Sequence, residues 1–319
     1  MNQKFKAIII GLGNIGYFDD LYEKTKLGAV THYKNIIESK SFNLSAICDT
    51  KIKNKTKFQK NKINLYSDYK NALKKEKADL VIISTPDTLH YKILLEAYKY
   101  SPKMVFCEKP MCINLAQINK INQLYKKKGI LLQVNYSRRF MPEFQKIKKN
   151  IIKGSLGNIK LVQMIYSKGL IHNGSHAIDL ALWFFGWPKK IRTNRIFKSQ
   201  TFPNDLSATI SLEYSKKLIV EIIGIDIKDL GFMEINIIGN KGKYFIDSNN
   251  QINTYKLKKV NSKQKQLLYK HTSQKIIKRY MALQYALKNL ENAYNKKENL
   301  ISPGSNSANI FKVIKHCQS

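Results

Sequence analysis

A short apolar strand that runs straight into a glycine-rich turn constrains this chain more than any other feature in it. Residues 5–10, F-K-A-I-I-I, read as a buried strand, and G-L-G-N-I-G follows at once at 11–16. The spacing G-x-G-x-x-G is weak alone, but directly after an apolar strand it is a dinucleotide-binding fingerprint. Gly11 would permit the tight turn, Gly13 would let a pyrophosphate approach the backbone, and Gly16 would allow close packing, with Asn14 and Ile15 between them. A glycine turn with no ligand is the alternative.

The pattern beyond the turn supports the fingerprint. Strand-like runs at 43–48, 79–84, 104–107 and 130–136 alternate with helical patterns at 31–39, 68–75, 89–100 and 115–127, the last with Asn114 as N-cap. Alternating strands and helices predict a doubly wound parallel sheet. After about residue 137 the pattern changes. Helices are expected at 142–153 and 175–185, and strands at 190–197, 207–214, 218–225, 232–238 and 243–247. Strands in succession predict a largely antiparallel sheet. Helices at 273–294 and 306–317 close the chain. The expected fold class is α/β. An N-terminal Rossmann domain over 1–125 precedes an α+β domain over 126–319, built on an open antiparallel sheet. The C-terminal helices are expected to pack back on the first domain.

Composition excludes several classes. Hydrophobic residues make up 43% of the 319 positions, which fits a globular protein. No apolar run approaches the ~18 residues of a membrane span. Residues 7–10 are too short for a signal-peptide core. The four cysteines, at 48, 107, 112 and 317, form neither a C-x-x-C nor a His/Cys ligand pattern. No metal and no disulfide framework is therefore expected, and a cytoplasmic location fits. The formal net charge of +34 would ordinarily point to nucleic acid or membrane. The basic residues, however, are dispersed lysines, broken only by Arg138, Arg139, Arg192, Arg195 and Arg279. Arginine is the preferred phosphate and base reader, so neither nucleic acid nor membrane is expected as a partner. The positive field would still raise the on-rate of an anionic substrate.

Three places carry candidate chemistry. The run at 104–107 delivers Glu108, Lys109 and Pro110 at its carboxyl end, where ligands bind in open α/β sheets. A lysine there suits proton donation or charge stabilisation for an alcohol; a plain surface turn is the alternative. Asp49 ends the second strand, where a carboxylate accepts ribose hydroxyls and repels a 2′-phosphate, favouring NAD over NADP. Lys51 and Lys53 keep NADP open, and residues 17–30 read as an inserted loop that lengthens the usual spacing to the acidic residue. The third place is the segment 172–179. Ser175 could cap a helix with His176 in its first turn, and Asp179 lies on the same face to orient the imidazole. A neutral histidine is a suitable base near pH 7; a structural histidine is the alternative. His172 lies four residues earlier, and the two histidines lack further ligands for a metal.

These residues together resemble the Gfo/Idh/MocA oxidoreductases, named for glucose–fructose oxidoreductase, inositol dehydrogenase and a rhizopine-catabolism protein. The resemblance runs through G-L-G-N-I-G, S-T-P-D-T-L-H at 84–90, E-K-P at 108–110, N-Y-S-R-R-F at 135–140, G-S-L-G at 154–157, S-H-A-I-D at 175–179 and I-I-G-N-K-G at 237–242. It implies a nicotinamide-dependent enzyme that oxidises or reduces a secondary alcohol on a sugar, cyclitol or sugar derivative. It makes Lys109 the active-site lysine and His176 the acid/base, with His172 as a further catalytic candidate. Ser84, Thr85, Pro86, His90 and Glu108 would join the cofactor site. Asn135, Arg138, His172, Asn173 and Asp179 would meet the substrate. The Lys109–Pro110 bond is often cis in this family, and a homodimer or homotetramer would form through the open sheet. Two departures stand out. His172 occupies a position where several members carry an acidic residue, and the 17–30 insertion precedes His32. Segments of the type L-I-H-N-G-S-H are similar to those of surface-polysaccharide enzymes acting on nucleotide-linked or amino sugars, which makes such a sugar the expected substrate. A cyclitol or free-sugar dehydrogenase, or a non-catalytic NAD-responsive binding protein, is the alternative.

Overall fold

The apolar runs at 5–10, 80–83 and 104–107 become the centre of a six-stranded sheet. Its strands are β1 (Phe5–Ile10), β2 (Phe42–Cys48), β3 (Asn64–Tyr66), β4 (Leu80–Ile83), β5 (Met104–Cys107) and β6 (Leu131–Val134). All pairings are parallel, in the order β3-β2-β1-β4-β5-β6. Near-continuous burial explains the unbroken apolar sequence: every residue of β4 and β5 is buried. The order reverses between β1 and β4, the topological switch point at which such sheets bind ligands. The computed structural model describes residues 4–22, 28–52, 55–228, 230–260 and 266–318.

Helices α1 (Asp19–Tyr22), α2 (His32–Ile37), α3 (Lys55–Lys60), α4 (Tyr69–Glu76), α5 (Asp87–Lys99) and α6 (Leu115–Lys128) connect the strands. The caps follow the sequence. Asn114 accepts the Gln117 N–H at 3.0 Å, as expected, and Gly129 ends α6 in the left-handed region. The sequence missed α3 and β3. At six and three residues they are too short to show a period.

The chain separates into two compact units, one of residues 1–140 with 280–308 and one of 141–279 with 309–319. Position 125, where the sequence divides the chain, falls inside α6. The first unit runs on because β6 pairs with β5 as the sixth parallel strand. The outer edge of β6 is not left open. Val134 N–H donates to Ser302 O at 2.9 Å, Gly304 N–H to Leu132 O at 2.9 Å, and Gln133 Nε2 to Ala286 O at 2.8 Å. Residues near the end of the chain thus cover the edge strand, a common protection against mispairing.

The second unit begins with α7 (Pro142–Ile152), then β7 (Ile159–Tyr166) and α8 (Ser175–Phe185). Its sheet has eight strands in the order β14-β13-β12-β11-β7-β10-β9-β8. The remaining strands are β8 (Lys190–Lys198), β9 (Leu206–Ser215), β10 (Leu218–Gly224), β11 (Met233–Gly239), β12 (Gly242–Ile246), β13 (Gln251–Val260) and β14 (Gln266–Ile276). Helices α9 (Ala282–Tyr294) and α10 (Ser305–Gln318) end the chain. Among the described residues only β7 and β10 pair in parallel, so the sheet is mostly antiparallel as the sequence predicts. Two corrections apply. The sequence passed over β7, although Val162, Met164 and Tyr166 alternate inward from it. The helix expected from residue 273 begins only at Ala282, because 266–276 pair with β13 as β14.

Tyr166 shows how the sheet is held where a strand stops. β10 ends at Gly224, and a Cβ there would lie 2.7 Å from Ala208 O and 3.1 Å from the Tyr166 hydroxyl. In place of a strand partner, the Tyr166 hydroxyl donates to Ala208 O at 2.9 Å and accepts from Ala208 N–H at 2.8 Å. Tyr166→Phe would leave both buried groups of Ala208 unmatched and should cost about 1–3 kcal/mol. Denaturant unfolding measures this; an unchanged midpoint would mean that water replaces the phenol.

Candidate functional site

In the first unit the expected cofactor residues come together at the carboxyl ends of β1, β2 and β4. Gly11 has φ +100°, and a Cβ there would lie 2.5 Å from the Ser84 carbonyl carbon. Glycine is therefore what lets the ends of β1 and β4 meet. Ser84 Oγ donates to Gly11 O at 2.8 Å and closes that contact. Around Gly13, by contrast, a Cβ would meet nothing within 4 Å, so the turn faces open space there. Asn14–Phe18 forms a five-residue π-helical turn, in which Phe18 N–H reaches Gly13 O at 3.2 Å. The first N–H groups of such a turn lack partners within it, which suits an anion. Thr85 Oγ1 is buried with no hydrogen-bond partner among the described residues. Asp49 Oδ2 accepts the Leu12 N–H at 2.7 Å, and its Oδ1 accepts the Lys51 N–H at 2.9 Å. Open space over Gly13, an orphaned hydroxyl and a carboxylate tied to the glycine turn fit a dinucleotide.

The segment read as an inserted loop is partly helical. Tyr17 is buried, with its ring 5.1 Å from that of Tyr33 and 5.2 Å from that of Phe58. The Asp20 carboxylate accepts the Val30 and Thr31 N–H groups at 2.9 and 2.8 Å, which pins the entry to α2. Residues 23–27, and Lys53, lie outside the described residues.

Glu108 and Lys109 leave β5 as the sequence predicts, and the Lys109–Pro110 bond is cis, as the resemblance implies. Glu108 Oε1 accepts from His32 Nε2 and from Asn135 Nδ2, each at 2.8 Å. Burial alone would push this carboxyl up. The His32 bond and charge, the Asn135 bond and the Lys109 ammonium outweigh it and hold the carboxyl below the usual range. Asn135, expected to meet substrate, thus spends its amide N–H on Glu108. His90, expected beside the nicotinamide, is buried between two carbonyls, Pro110 O at 2.8 Å from Nδ1 and Thr85 O at 2.9 Å from Nε2. It braces the turns after β4 and β5 against each other. Pro86 begins α5 as its N-cap, and Arg138 is buried in the 3₁₀ turn Ser137–Phe140 beyond β6.

In the second unit a π-helical turn, Gly169–Gly174, runs without a break into α8. Ser175 is therefore not a cap: it is already helical, and its hydroxyl is buried with no partner among the described residues. His176 does lie in the first turn of α8, buried, with Asp179 one turn on and also buried. Asn173 Nδ2 donates to Phe232 O at 3.4 Å. The sequence missed Asp205, whose carboxylate takes His172 Nδ1 at 2.8 Å. No spacing signal joins residues so far apart. Among the described residues no cluster of metal-ligating side chains occurs, and no helix is long and apolar enough to cross a membrane.

Comparisons with known proteins find matches to both parts of the chain. Residues 5–136 match a family model described as "Oxidoreductase family, NAD-binding Rossmann fold", and residues 167–318 match "Oxidoreductase family, C-terminal alpha/beta domain". A scyllo-inositol 2-dehydrogenase (NADP(+)) of Bacillus subtilis is 30% identical over 156 residues, 43% of this chain and 43% of that protein. An inositol 2-dehydrogenase/D-chiro-inositol 3-dehydrogenase of Lactiplantibacillus plantarum is 28% identical over 56% of this chain and 51% of its own length. The matched stretch thus spans about half the length of these relatives. The fold of an Agrobacterium radiobacter oxidoreductase, solved with NAD⁺, L-tartaric acid and magnesium, superposes with a TM-score of 0.70 at 14% identity. That superposition covers 98% of this chain and 95% of the other.

The Glu108 network makes stability depend on acid. A carboxyl whose folded value lies below its ordinary 4.5 stabilises fully above that value, and the benefit is lost as pH falls through the lower one. Unfolding free energy should therefore drop more steeply in the wild type than in Glu108→Gln between about pH 5 and pH 3. Denaturant titrations across that range measure it, and parallel curves would show that the bonds to Glu108 are not net stabilising.

Proposed function

Because the chain belongs to the Gfo/Idh/MocA family of oxidoreductases, we propose that it is a nicotinamide-dependent dehydrogenase of a ring secondary alcohol, on a cyclitol or free sugar. The observation that carries this is the placement of Lys109 directly after β5, next to a Glu108 fixed by His32 and Asn135, in the same unit as the glycine turn. The relatives named above are inositol dehydrogenases. They lend no support to a nucleotide-linked or amino sugar, so the weight moves to the cyclitol.

A nicotinamide supplies hydride acceptance when bound. Gly13 would admit the pyrophosphate, Gly11 and Gly16 would allow the turn and its close packing, and Asp49 would meet the adenosine ribose. Asp49 favours NAD, although one relative is named for NADP(+). The chemistry left to the protein is handling the proton and the developing oxyanion. Lys109 would stabilise the oxyanion, and His176 would take the hydroxyl proton. Asp179, one turn on, would orient the His176 ring. In the reductive direction the same groups return the proton.

The test is a turnover panel of myo-, scyllo- and D-chiro-inositol against free hexoses and UDP-, GDP- and CMP-sugars, with both cofactors. Inositol or hexose turnover is expected, and turnover confined to nucleotide sugars would overturn the substrate class. Lys109→Ala and His176→Ala should each lower kcat by roughly 10²–10⁴-fold while NAD binding, read by calorimetry, is kept. A near-wild-type kcat in either removes that residue from the mechanism. Asp49→Ala should narrow the preference for NAD over NADP, and equal affinities in the wild type would reject the role of Asp49.

A further inference from the structure

The segment 17–30, which the sequence reads as an insertion, has no part in the function proposed above, yet its described residues grip α2 on both sides of His32. On one side is Asp20, whose side chain is 10% exposed. Its Oδ1 accepts the Val30 N–H at 2.9 Å and its Oδ2 the Thr31 N–H at 2.8 Å, and the Thr31 hydroxyl also donates to Oδ2. So oriented, the same hydroxyl accepts the Lys34 N–H at 3.2 Å and caps α2. On the other side is Tyr17, whose ring meets that of Tyr33 edge to face at 5.1 Å. His32 lies between these two anchored residues and is fully buried. Its ring stands edge to face with Phe106 at 5.2 Å, and its Nδ1 is buried with no hydrogen-bond partner among the described residues. Among the described residues the ring is thus held by one hydrogen bond, from Nε2 to Glu108 at 2.8 Å. Its aim depends on the backbone that carries it.

We propose that Asp20 is a positioning residue for the reacting site: with Tyr17 it fixes the backbone on either side of His32, and so aims the imidazole at Glu108, the neighbour of Lys109. Every contact in this chain of placement lies within the first unit. A carboxylate that accepts two N–H groups and a hydroxyl is a stiff joint, because any shift of residues 30–31 gives up a charge-assisted bond. Those residues set the first turn of α2, and the His32 ring has no second hydrogen bond to correct a misplaced backbone. A displacement of about 1 Å is enough to break the bond to Glu108. Lys109, the next residue, then loses its fixed neighbour. No proton or electron passes along these groups; the effect is one of placement, on which turnover depends steeply. The proposal rests on the dehydrogenase assignment for its effect on turnover, but not for the aiming of His32.

The test has two arms. The His32 Nε2–H, buried and bonded to a carboxylate, should give a slowly exchanging imidazole signal in ¹⁵N–¹H spectra, assigned by its loss in His32→Gln. Asp20→Ala should speed its exchange with solvent by roughly 10-fold. Asp20→Asn keeps an oxygen for Thr31, so it should speed exchange less, and it covers the case in which the alanine variant does not fold. In the kinetic arm, run with the best polyol, Asp20→Ala should lower kcat by roughly 10-fold, with NAD affinity unchanged. In a His32→Gln background it should cost nothing further, because Asp20 acts through that ring. Unchanged exchange in both Asp20 variants overturns the proposal. So does an unchanged kcat in Asp20→Ala, or full additivity with His32→Gln. A matching loss of NAD affinity overturns it too, by making the segment part of the cofactor site. A wild type with no polyol turnover but the expected exchange would instead overturn the dehydrogenase assignment while upholding the aiming of His32.

Discussion

The first unit depends on one carboxylate. Glu108 leaves β5, receives His32 from α2 and receives Asn135 from the end of β6. Three elements that meet at the carboxyl edge of the sheet are therefore tied through one charged side chain. A buried carboxylate is costly unless its hydrogen bonds are made. Here they are made by groups that must be in place for the edge to have its shape. The residue after it, Lys109, inherits that placement. A loop with two unpaired glutamate oxygens could not hold a lysine at a repeatable position, and oxyanion stabilisation depends on donors placed in advance.

The parallel sheet was legible because its sequence signal and its burial coincide. β1, β4 and β5 are short apolar runs, each ending in a residue that the site uses: Gly11, Ser84 and Glu108. Their physics is local, and so is the cap of α6 at Asn114. The antiparallel sheet was harder. β7 alternates properly but follows a glycine-rich turn, and its neighbours β10 and β11 lie far along the chain. β13 and β14 mix lysines, glutamines and threonines with scattered apolar residues, and they pair with each other along their whole length. The sequence assigns no element to 251–272 and expects a helix from 273, where β14 in fact continues to Ile276.

The candidate site divides the same way. The glycine turn, Asp49, Lys109 and His176 are legible because each lies at the end of a recognisable element. Their supports are not. The partnership of His32 with Glu108 spans 76 positions, and that of His172 with Asp205 spans 33. Ser175 shows the converse error. Serine before a helical run ordinarily caps it, but the π-helical turn at 169–174 already supplies the preceding helical residues. The cap position therefore falls elsewhere, and the hydroxyl is left inside.

The covering of β6 by residues 302–304 bears on how the chain must be made. Translation delivers β1 to β6 in order, and each can pair with its neighbours soon after it emerges. The outer edge of β6 finds its permanent partner only after the whole second sheet has been synthesised. A contact of such sequence separation forms late, because the intervening chain must first be brought together. During that interval the nucleotide half is a sheet with one bare side in a crowded cell. The strand so exposed is only four residues long, which limits what could dock on it while it waits.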